Sequence, residues 1–210
     1  MSQTALSLRT TVANDSADEI KLVGVARSFH PGQAIYSEGD GAEHLYKVIS
    51  GAVRVFRMLA DGRRQITAFH LAGDIFGIEP DGVRLTTAEA VGPATIVVAR
   101  RGVADPEQDR RYWRKALLEL RRTQDHVLTL GRRSAVEKVA SFLMDVAGRL
   151  GGCLGFELPM SRQDIADFLG LTIETVSRTF TQLQTRGLIS LAGCRHVDLV
   201  RPAALVALCE

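Results

Sequence analysis

Short apolar runs separated by glycine-containing turns fill the chain from about Leu22 to Val103. In the run AVRVFR at 52–57, apolar and basic residues alternate with a period of two, which is typical of a half-buried β-strand. Many short strands joined by tight turns predict an antiparallel barrel or sandwich. The other predicted strands of this region lie at 34–36, 44–49, 65–69 and 94–99.

A long helix is predicted after Pro106, because no glycine or proline follows before Gly131. Along it, residues recur with the 4-3-4-3 spacing of a coiled-coil seam. We predict that this seam is a dimer interface, in which the polar Gln124 fixes the register. The alternative is that the stripe packs on the protein's own strands, since a core-facing helix has a similar periodicity. The seam consists of Trp113, Leu117, Leu120, Gln124 and Val127.

Two short helices with a glycine between them are predicted near the C-terminus. Ser161 is placed to cap the first, which ends at Gly170. Thr172 is placed to cap the second, which begins at Ile173 and ends near Arg186. This arrangement is typical of a helix-turn-helix, and an ordinary helical hairpin is the alternative.

The outer face of the second helix carries side chains that are suited to reading bases. The planar guanidinium of Arg178 matches O6 and N7 of guanine, Glu174 accepts from cytosine N4, and Ser177 touches a neighbouring base or phosphate. The alternative for Glu174 and Arg178 is a surface ion pair worth only about 0.3 to 0.5 kcal/mol. The buried face is predicted to be Ile173, Val176, Phe180 and Leu183.

A β-hairpin is predicted after Gly187, with strands at 188–191 and 197–200, of the kind that forms the wing of a winged helix. Its tip carries Arg195, which is either a phosphate contact or part of a solvated loop. Contacts to the DNA backbone are predicted for Ser161, Arg162, Thr172, Thr175 and Arg195.

Charge is distributed unevenly along a chain whose formal net charge is +2. Residues 135–210 contain seven Lys or Arg against eight Asp or Glu, so the predicted DNA-binding segment is not basic overall. Specific DNA binding must therefore depend on a few side chains that are positioned to contact the DNA, rather than on a large positive patch.

Several protein classes are excluded by missing patterns. The sequence contains no G-x-S-x-G, phosphate-loop or H-E-x-x-H motif, so we do not expect an enzyme. No stretch approaches the roughly 20 apolar residues that span a bilayer, and the start of the chain does not read as a secretory signal. We therefore predict a cytoplasmic protein that is not bound to a membrane.

The cysteines Cys153, Cys194 and Cys209 are too widely spaced for a disulfide framework or a metal site, so reduced thiols are expected. Cys194 is a candidate redox residue because it is predicted to lie in the wing beside Arg195. The alternative is an unreactive cysteine that serves as a small packing residue.

Almost the whole chain from Leu22 resembles the CRP/FNR family of transcription regulators. The resemblance is carried by LYKVISG at 45–51, by the long helix and above all by RQDIADFLGLTIETVSR at 162–178. It implies an α+β fold with an N-terminal cyclic-nucleotide-binding-like β-roll (a jelly roll), a long dimerisation helix and a C-terminal winged helix-turn-helix. The implied domains are a flexible N-terminal arm at 1–21, the β-roll at 22–105, the dimerisation helix at 106–133 and the DNA-binding domain at 134–210.

The E-x-x-S-R pattern of Glu174, Ser177 and Arg178 resembles the FNR-type recognition signature. This implies an inverted repeat of half-sites resembling TTGA, with Arg178 on guanine and Glu174 on cytosine. Within the family the chain is most similar to the FixK group, which implies an activator that regulates nitrogen fixation without a ligand. The implied partners are palindromic double-stranded DNA, a second copy of the chain, and RNA polymerase, contacted through loops such as 61–64.

Departures from the family pattern bear on cofactors. The family's cyclic-nucleotide cassette has a Gly-Glu pair and an arginine before Ser/Thr-Ala, whereas here Ile78 follows Gly77 and Thr86 replaces the arginine. A buried phosphate without its arginine is poorly compensated, so we predict no cAMP binding. No cysteine precedes Cys153, and the histidines show no haem or metal spacing, so no cofactor is expected. The alternatives are a β-roll that binds an unidentified small molecule and, less favoured, a binding module that does not contact DNA.

Overall fold

A computed structural model describes residue 20 and residues 22–100, 106–132 and 134–209, without the side chains of 106–109 and 132. The predicted N-terminal arm at 1–21 lies outside the described residues, apart from the buried Ile20. The strands are β1 Val25–Phe29, β2 Ala34–Tyr36, β3 His44–Ser50, β4 Ala52–Met58, β5 Arg64–Leu71, β6 Ile75–Phe76, β7 Thr87–Ala90, β8 Ala94–Arg100, β9 Gly155–Glu157, β10 Ile189–Ala192 and β11 His196–Leu199. The helices are α1 Pro106–Arg132, α2 Ala135–Arg149, α3 Arg162–Leu169, α4 Ile173–Thr185 and α5 Pro202–Ala207.

The described chain forms two compact units. The first contains the residues up to Arg57 and those from Phe69 to Arg121, and the second contains Met58–Ala68 and the residues from Arg122 onward. The turn between β4 and β5 thus belongs to the C-terminal unit, a placement that the hydrophobic pattern did not indicate.

Two four-stranded antiparallel sheets make up the N-terminal β-roll. Their strand orders are β1-β8-β3-β6 and β2-β7-β4-β5. Val48, Val53 and Ile96 are completely buried and form part of its core. The mixed helix and strand content and the β-roll confirm the predicted fold class.

Burial along β4 does not follow the simple alternation seen in the sequence. Ala52, Val53, Val55 and Phe56 are all buried. Arg54 lies opposite Glu89 on β7, and the two form a salt bridge with an N–O distance of 2.6 Å. The apparent basic face of this strand is therefore only partly solvated, because one of its cations is paired across the sheet.

Three strands of the roll, β1, β6 and β7, were not predicted. β1 has the sequence VARSF, which mixes polar and apolar residues without a clean period, and β7 has the sequence TAEA, with two alanines buried. Both are paired with long apolar strands, β8 and β4. Their strand conformation is therefore decided by partners distant in sequence rather than by local propensity.

The C-terminal unit is built around α2. Ser134 caps α2 in a capping box with Glu137, and the helix ends at Arg149. Val139, Ala140 and Leu143 are completely buried. A three-stranded antiparallel sheet of order β10-β11-β9 and the short α5, which was not predicted, complete the unit. No helix in the described part of the chain is long and apolar enough to cross a membrane.

Candidate nucleic-acid interface

Helix α3 begins at a reciprocal cap. Ser161 Oγ accepts a hydrogen bond from the Asp164 backbone N–H at 3.1 Å, and the Asp164 carboxylate accepts one from the Ser161 backbone N–H at 3.1 Å. These bonds satisfy two N–H groups at the helix start that have no partner within the helix. The helix ends at Gly170, whose φ of +62° lies in the left-handed region that favours glycine. Both ends agree with the prediction.

A tight turn brings α3 and α4 together. The Leu171 N–H donates to the Ala166 carbonyl at 3.0 Å. Ala166 is completely buried, so a larger side chain here would force the two helices apart. Thr172 Oγ1 accepts from the Thr175 N–H at 3.2 Å and caps α4. The helix-turn-helix predicted from the sequence is present.

The buried stripe of α4 is Val176, Thr179, Phe180 and Leu183. The prediction was wrong for Ile173, which is 39% exposed. Ile173 is the first residue of the helix, where the chain has only just left the turn, and Thr179, six residues further along, belongs to the buried stripe instead. Thr179 tolerates burial because its hydroxyl donates to the Thr175 carbonyl at 2.8 Å.

The opposite face of α4 presents Glu174, Ser177 and Arg178 to solvent. Hydrogen bonds from its own backbone N–H and from Thr172 lower the pKa of Glu174, and the charge of Arg178 lowers it further. Glu174 is therefore ionised at neutral pH and only accepts hydrogen bonds. Within the described residues no salt bridge joins Glu174 to Arg178, so the surface ion pair considered above is not formed.

The wing consists of β10 and β11, with β9 paired to β11 on its other side. Arg195 lies exposed in the turn between β10 and β11. Next to it, His196 bridges two strands, with Nδ1 at 3.1 Å from Glu157 Oε1 and Nε2 at 3.1 Å from Asp198 Oδ1. The hydrogen bond with Asp198 is the largest cause of a raised pKa for His196. The tip of the wing is thus held by side-chain contacts that the sequence pattern did not reveal.

Arg162, predicted to contact the DNA backbone, lies against the recognition helix. Its guanidinium carbon is 3.2 Å from the centroid of the Phe180 ring, and burial lowers its pKa to about 10. It therefore remains charged at neutral pH. Its Nη1 is buried and has no hydrogen-bond partner in the described chain, so a phosphate contact through this atom requires another rotamer.

The remaining predicted backbone residues lie at helix starts, where unpaired N–H groups favour anions. Ser161 and Thr172 use their hydroxyl groups as caps, and the Thr175 hydroxyl lies 3.1 Å from that of Thr172. Cys194, the candidate redox residue, is exposed, which does not fit a packing role. It lies close enough to Arg162 for its charge to raise the pKa of that arginine slightly, against the larger effect of burial.

The predicted seam lies on an exposed face of α1. Its four apolar residues are each more than half exposed, from 53% for Leu120 to 69% for Trp113, and Gln124 is exposed too. The stripe therefore does not pack on the protein's own strands. A row of large exposed apolar side chains of this kind usually marks a protein interface.

A histidine that the sequence did not single out supports the helix-turn-helix. The ring of His126 on α1 stacks on Phe168 of α3, with centroids 3.9 Å apart, and Phe142 lies against the same phenyl ring. Burial lowers the pKa of His126, the charge of Lys138 lowers it further, and Asp145 acts in the opposite direction. Its buried Nε2 has no hydrogen-bond partner in the described chain. Only the neutral ring is well accommodated here.

Acidification is expected to weaken the C-terminal unit through His126. The pKa of His126 is lower in the folded protein than its value of about 6.5 in the unfolded chain. The stabilisation by the neutral ring is therefore fully present above pH about 6.5 and is lost as the pH falls through the folded pKa. In His126→Phe, which keeps the stack but cannot titrate, the free energy of unfolding measured in urea should fall less between pH 7 and the depressed pKa. The exposed His30→Phe is the control, and an equal pH slope in wild type and His126→Phe would contradict the assignment.

Where the family has its cyclic-nucleotide cassette, the protein's own Arg84 packs against Gly77. Arg84 is 1% exposed, and its guanidinium donates to the carbonyls of Gly77, at 2.7 Å, and of His44. It also lies 4.3 Å from the ring centroid of Tyr36. A side chain on Gly77 would meet Arg84 Nη1 at 3.0 Å, so the space next to this glycine is filled.

The comparisons with known proteins agree with this geometry. Residues 26–104 match the cyclic nucleotide-binding domain, and residues 137–208 match the Crp-like helix-turn-helix domain. The chain is 46% identical to the nitrogen fixation regulation protein FixK of Rhizobium meliloti, over 87% of this chain and 86% of that protein. It is 44% identical to the FixK protein of Azorhizobium caulinodans, over 94% and 85%. The solved structure of FixK2 from Bradyrhizobium japonicum superposes with a TM-score of 0.85 at 41% identity, covering 90% of this chain and 98% of that one.

A β-roll, a long helix with an exposed seam and a winged helix-turn-helix together define a transcription regulator. This protein belongs to the CRP/FNR family. The relatives are named as regulators and activators, which confirms the prediction that the chain is not an enzyme.

Proposed function

We propose that this protein is a dimeric transcription activator of the FixK type that binds an inverted repeat of TTGA-like half-sites. The observation that carries the proposal is the exposed face of α4, where Glu174, Ser177 and Arg178 stand together without a salt bridge between the charged pair. The ionised Glu174 accepts from cytosine N4, and the fork of Arg178 donates to guanine O6 and N7. The names of the relatives extend the proposal to the regulation of nitrogen fixation.

An inverted repeat of this kind is bound by two copies of the chain that are related by two-fold symmetry. Two recognition helices must enter successive major grooves about 34 Å apart, which requires two copies of the chain. The exposed seam of α1, with Leu117 and Leu120 at its centre, supplies a surface for that pairing. Backbone contacts by Arg195 and by the starts of α3 and α4 would hold each recognition helix in register without specifying sequence.

The protein is proposed to act without a cyclic nucleotide. Arg84 donates a hydrogen bond to the Gly77 carbonyl, and its guanidinium fills the space beside this glycine. The Thr86 hydroxyl is hydrogen bonded to Tyr36. The residues of the cassette therefore do not fit a cyclic phosphate. We expect purified protein to bind its DNA equally with and without millimolar cAMP, and calorimetry to detect no heat of cAMP binding. A cAMP-dependent rise in DNA affinity would contradict this.

A second candidate function is an effector-dependent regulator, and one observation favours it. Arg84 Nε is buried and has no hydrogen-bond partner in the described chain, so the roll contains one unsatisfied cationic N–H group. An unsatisfied donor of this kind suits a small anion. Native mass spectrometry decides between the two: a bound mass that is lost in Arg84→Ala supports the effector, and an unliganded wild type that binds DNA supports ligand independence.

RNA polymerase is proposed as a further partner through the hairpin at 61–64, in the cytoplasm where the DNA lies. Asp61 and Arg63 form an exposed ion pair there, with an N–O distance of 2.7 Å. Arg64 is instead paired with Asp164 and Asp167 of α3, so it is not part of this exposed surface. Control through oxidation of the exposed Cys194 remains a hypothesis.

Selection of DNA from a random library by the purified wild-type protein tests the proposal directly. The expected result is an enriched inverted repeat of TTGA-like half-sites separated by about one helical turn from centre to centre. Enrichment of a single half-site, or of no sequence, would contradict the dimeric reading of the site.

A further inference from the structure

Arg64, the first residue of β5, lies against the first helix of the helix-turn-helix. Its Nε donates to Asp167 Oδ2 at 2.9 Å, and its Nη2 lies 2.7 Å from both Asp167 Oδ2 and Asp164 Oδ1. The three side chains are largely buried, with exposures of 22% for Arg64, 4% for Asp164 and 15% for Asp167. One guanidinium thus joins two carboxylates on adjacent turns of α3.

The next residue strengthens the same contact. Gln65 Nε2 donates to the Asp167 backbone carbonyl at 2.8 Å. This carbonyl lies in the last turn of α3, where carbonyl groups have no partner within the helix. The start of β5 therefore binds α3 through both a side-chain ion pair and a backbone hydrogen bond.

The chemistry of α3 requires a cation at this point. Asp164 and Asp167 are three residues apart on one face of the helix, where like charges repel. Asp164 Oδ2 also accepts hydrogen bonds from the backbone N–H and the hydroxyl of Ser161 in the cap of α3. Without a positive charge nearby, a nearly buried carboxylate would be poorly compensated. The planar guanidinium, with several N–H donors in a fixed geometry, bonds both carboxylates at once better than a lysine ammonium would.

We propose that Arg64 is a positioning residue for DNA binding: it fixes α3 and, through the turn at Ala166 and Gly170, sets the position of the recognition helix α4. This rests on the proposed function of α4. Arg64 itself is directed at the two aspartates and does not need to touch DNA. Its loss should weaken operator binding even though the reading face of Glu174, Ser177 and Arg178 is unchanged.

The first experiment compares Arg64→Ala with Arg63→Ala, which removes the same charge from the same hairpin without touching α3. Binding to a TTGA palindrome is measured over a range of salt concentrations and corrected for the active fraction. Arg64→Ala should weaken binding about tenfold, Arg63→Ala less than about twofold, and Arg64→Lys by an intermediate amount. A contact to phosphate would reduce the salt slope by about 1, whereas a positioning residue leaves it unchanged.

A double-mutant cycle tests whether Arg64 acts through α3. Arg64→Ala and Asp167→Ala combined should weaken binding by clearly less than the product of the two single effects, because both remove the same contact. Binding by Arg64→Ala within twofold of wild type overturns the proposal. A reduced salt slope with multiplicative losses also overturns it, since that pattern indicates a direct DNA contact.

Hydrogen exchange keeps the inference testable if the proposed DNA site is wrong. In the absence of DNA, amide protons at 166–169 should exchange faster in Arg64→Ala than in Arg63→Ala, with those of α2 unchanged. If wild type fails to bind the palindrome but this difference in exchange is found, the proposed function is wrong and the inference that Arg64 fixes α3 is supported. Equal exchange in both variants overturns that inference.

Discussion

Replacing Arg178 with alanine is expected to abolish most sequence-specific DNA binding. A side chain that bonds a guanine through both acceptors contributes about 1 to 3 kcal/mol for each half-site. A symmetric dimer loses two such contacts, so the affinity for a palindrome should fall roughly 30-fold to 20,000-fold. The fold should be unaffected, since Arg178 is exposed and the buried stripe of α4 is formed by other residues.

The measurement is a titration of labelled palindrome and of variants changed at the G·C pair. Wild type should discriminate against the changed pair, and Arg178→Ala should bind both DNAs equally weakly. Arg186→Ala is a matched control, because it removes an exposed arginine at the far end of the same helix. Loss of the same size in both variants would show that α4 contributes only general positive charge.

The second large effect is expected at the seam of α1. Leu117→Glu places a carboxylate in the middle of the apolar stripe. In a two-fold symmetric dimer, the partner chain places a second carboxylate in the same interface. Each carboxylate removed from water costs several kcal/mol unless it is paired, so the dimer should dissociate at micromolar concentration. Sedimentation should then give the mass of one chain, and binding to the full palindrome should fall to that of an isolated half-site.

Leu118→Glu is the control for this change. Leu118 is the neighbouring leucine on α1 and is 47% exposed, but it lies outside the seam spacing. A dimer that persists in Leu118→Glu and is lost in Leu117→Glu locates the interface on the predicted stripe. The reverse result would place the interface on another face of the helix.

The helix-turn-helix was the part most readily predicted, because its signals are local. Ser161 and Thr172 cap their helices through residues three positions ahead, and Gly170 supplies the left-handed turn. Each of these is a contact within one turn of helix, so it is visible as a short spacing in the sequence. The exposed face of α4 followed from the same helical period, except at its first residue, Ile173.

Contacts between distant segments could not be predicted in the same way. Arg64 meets Asp167 across 103 residues, and His126 stacks on Phe168 from another helix. Arg84 is the clearest case, because it lies two residues before Thr86, beside the incomplete cassette, and no pattern in the sequence marks it as buried. The structure buries its guanidinium in the roll, on the Gly77 carbonyl.

Residue patterns along the chain were enough to predict the order of strands and helices in broad outline, the boundaries of the helix-turn-helix, the exposed stripe of α1 and the exposed face of α4. These depend on period and on caps, which act over a few residues. Which charges are paired could be seen only in the folded chain, since Arg64 and Arg84 have the same local sequence character as an exposed arginine such as Arg63. Their environment depends on which segments the fold brings together, and burial then makes the choice of partner matter, because an unpaired charge is costly only away from water.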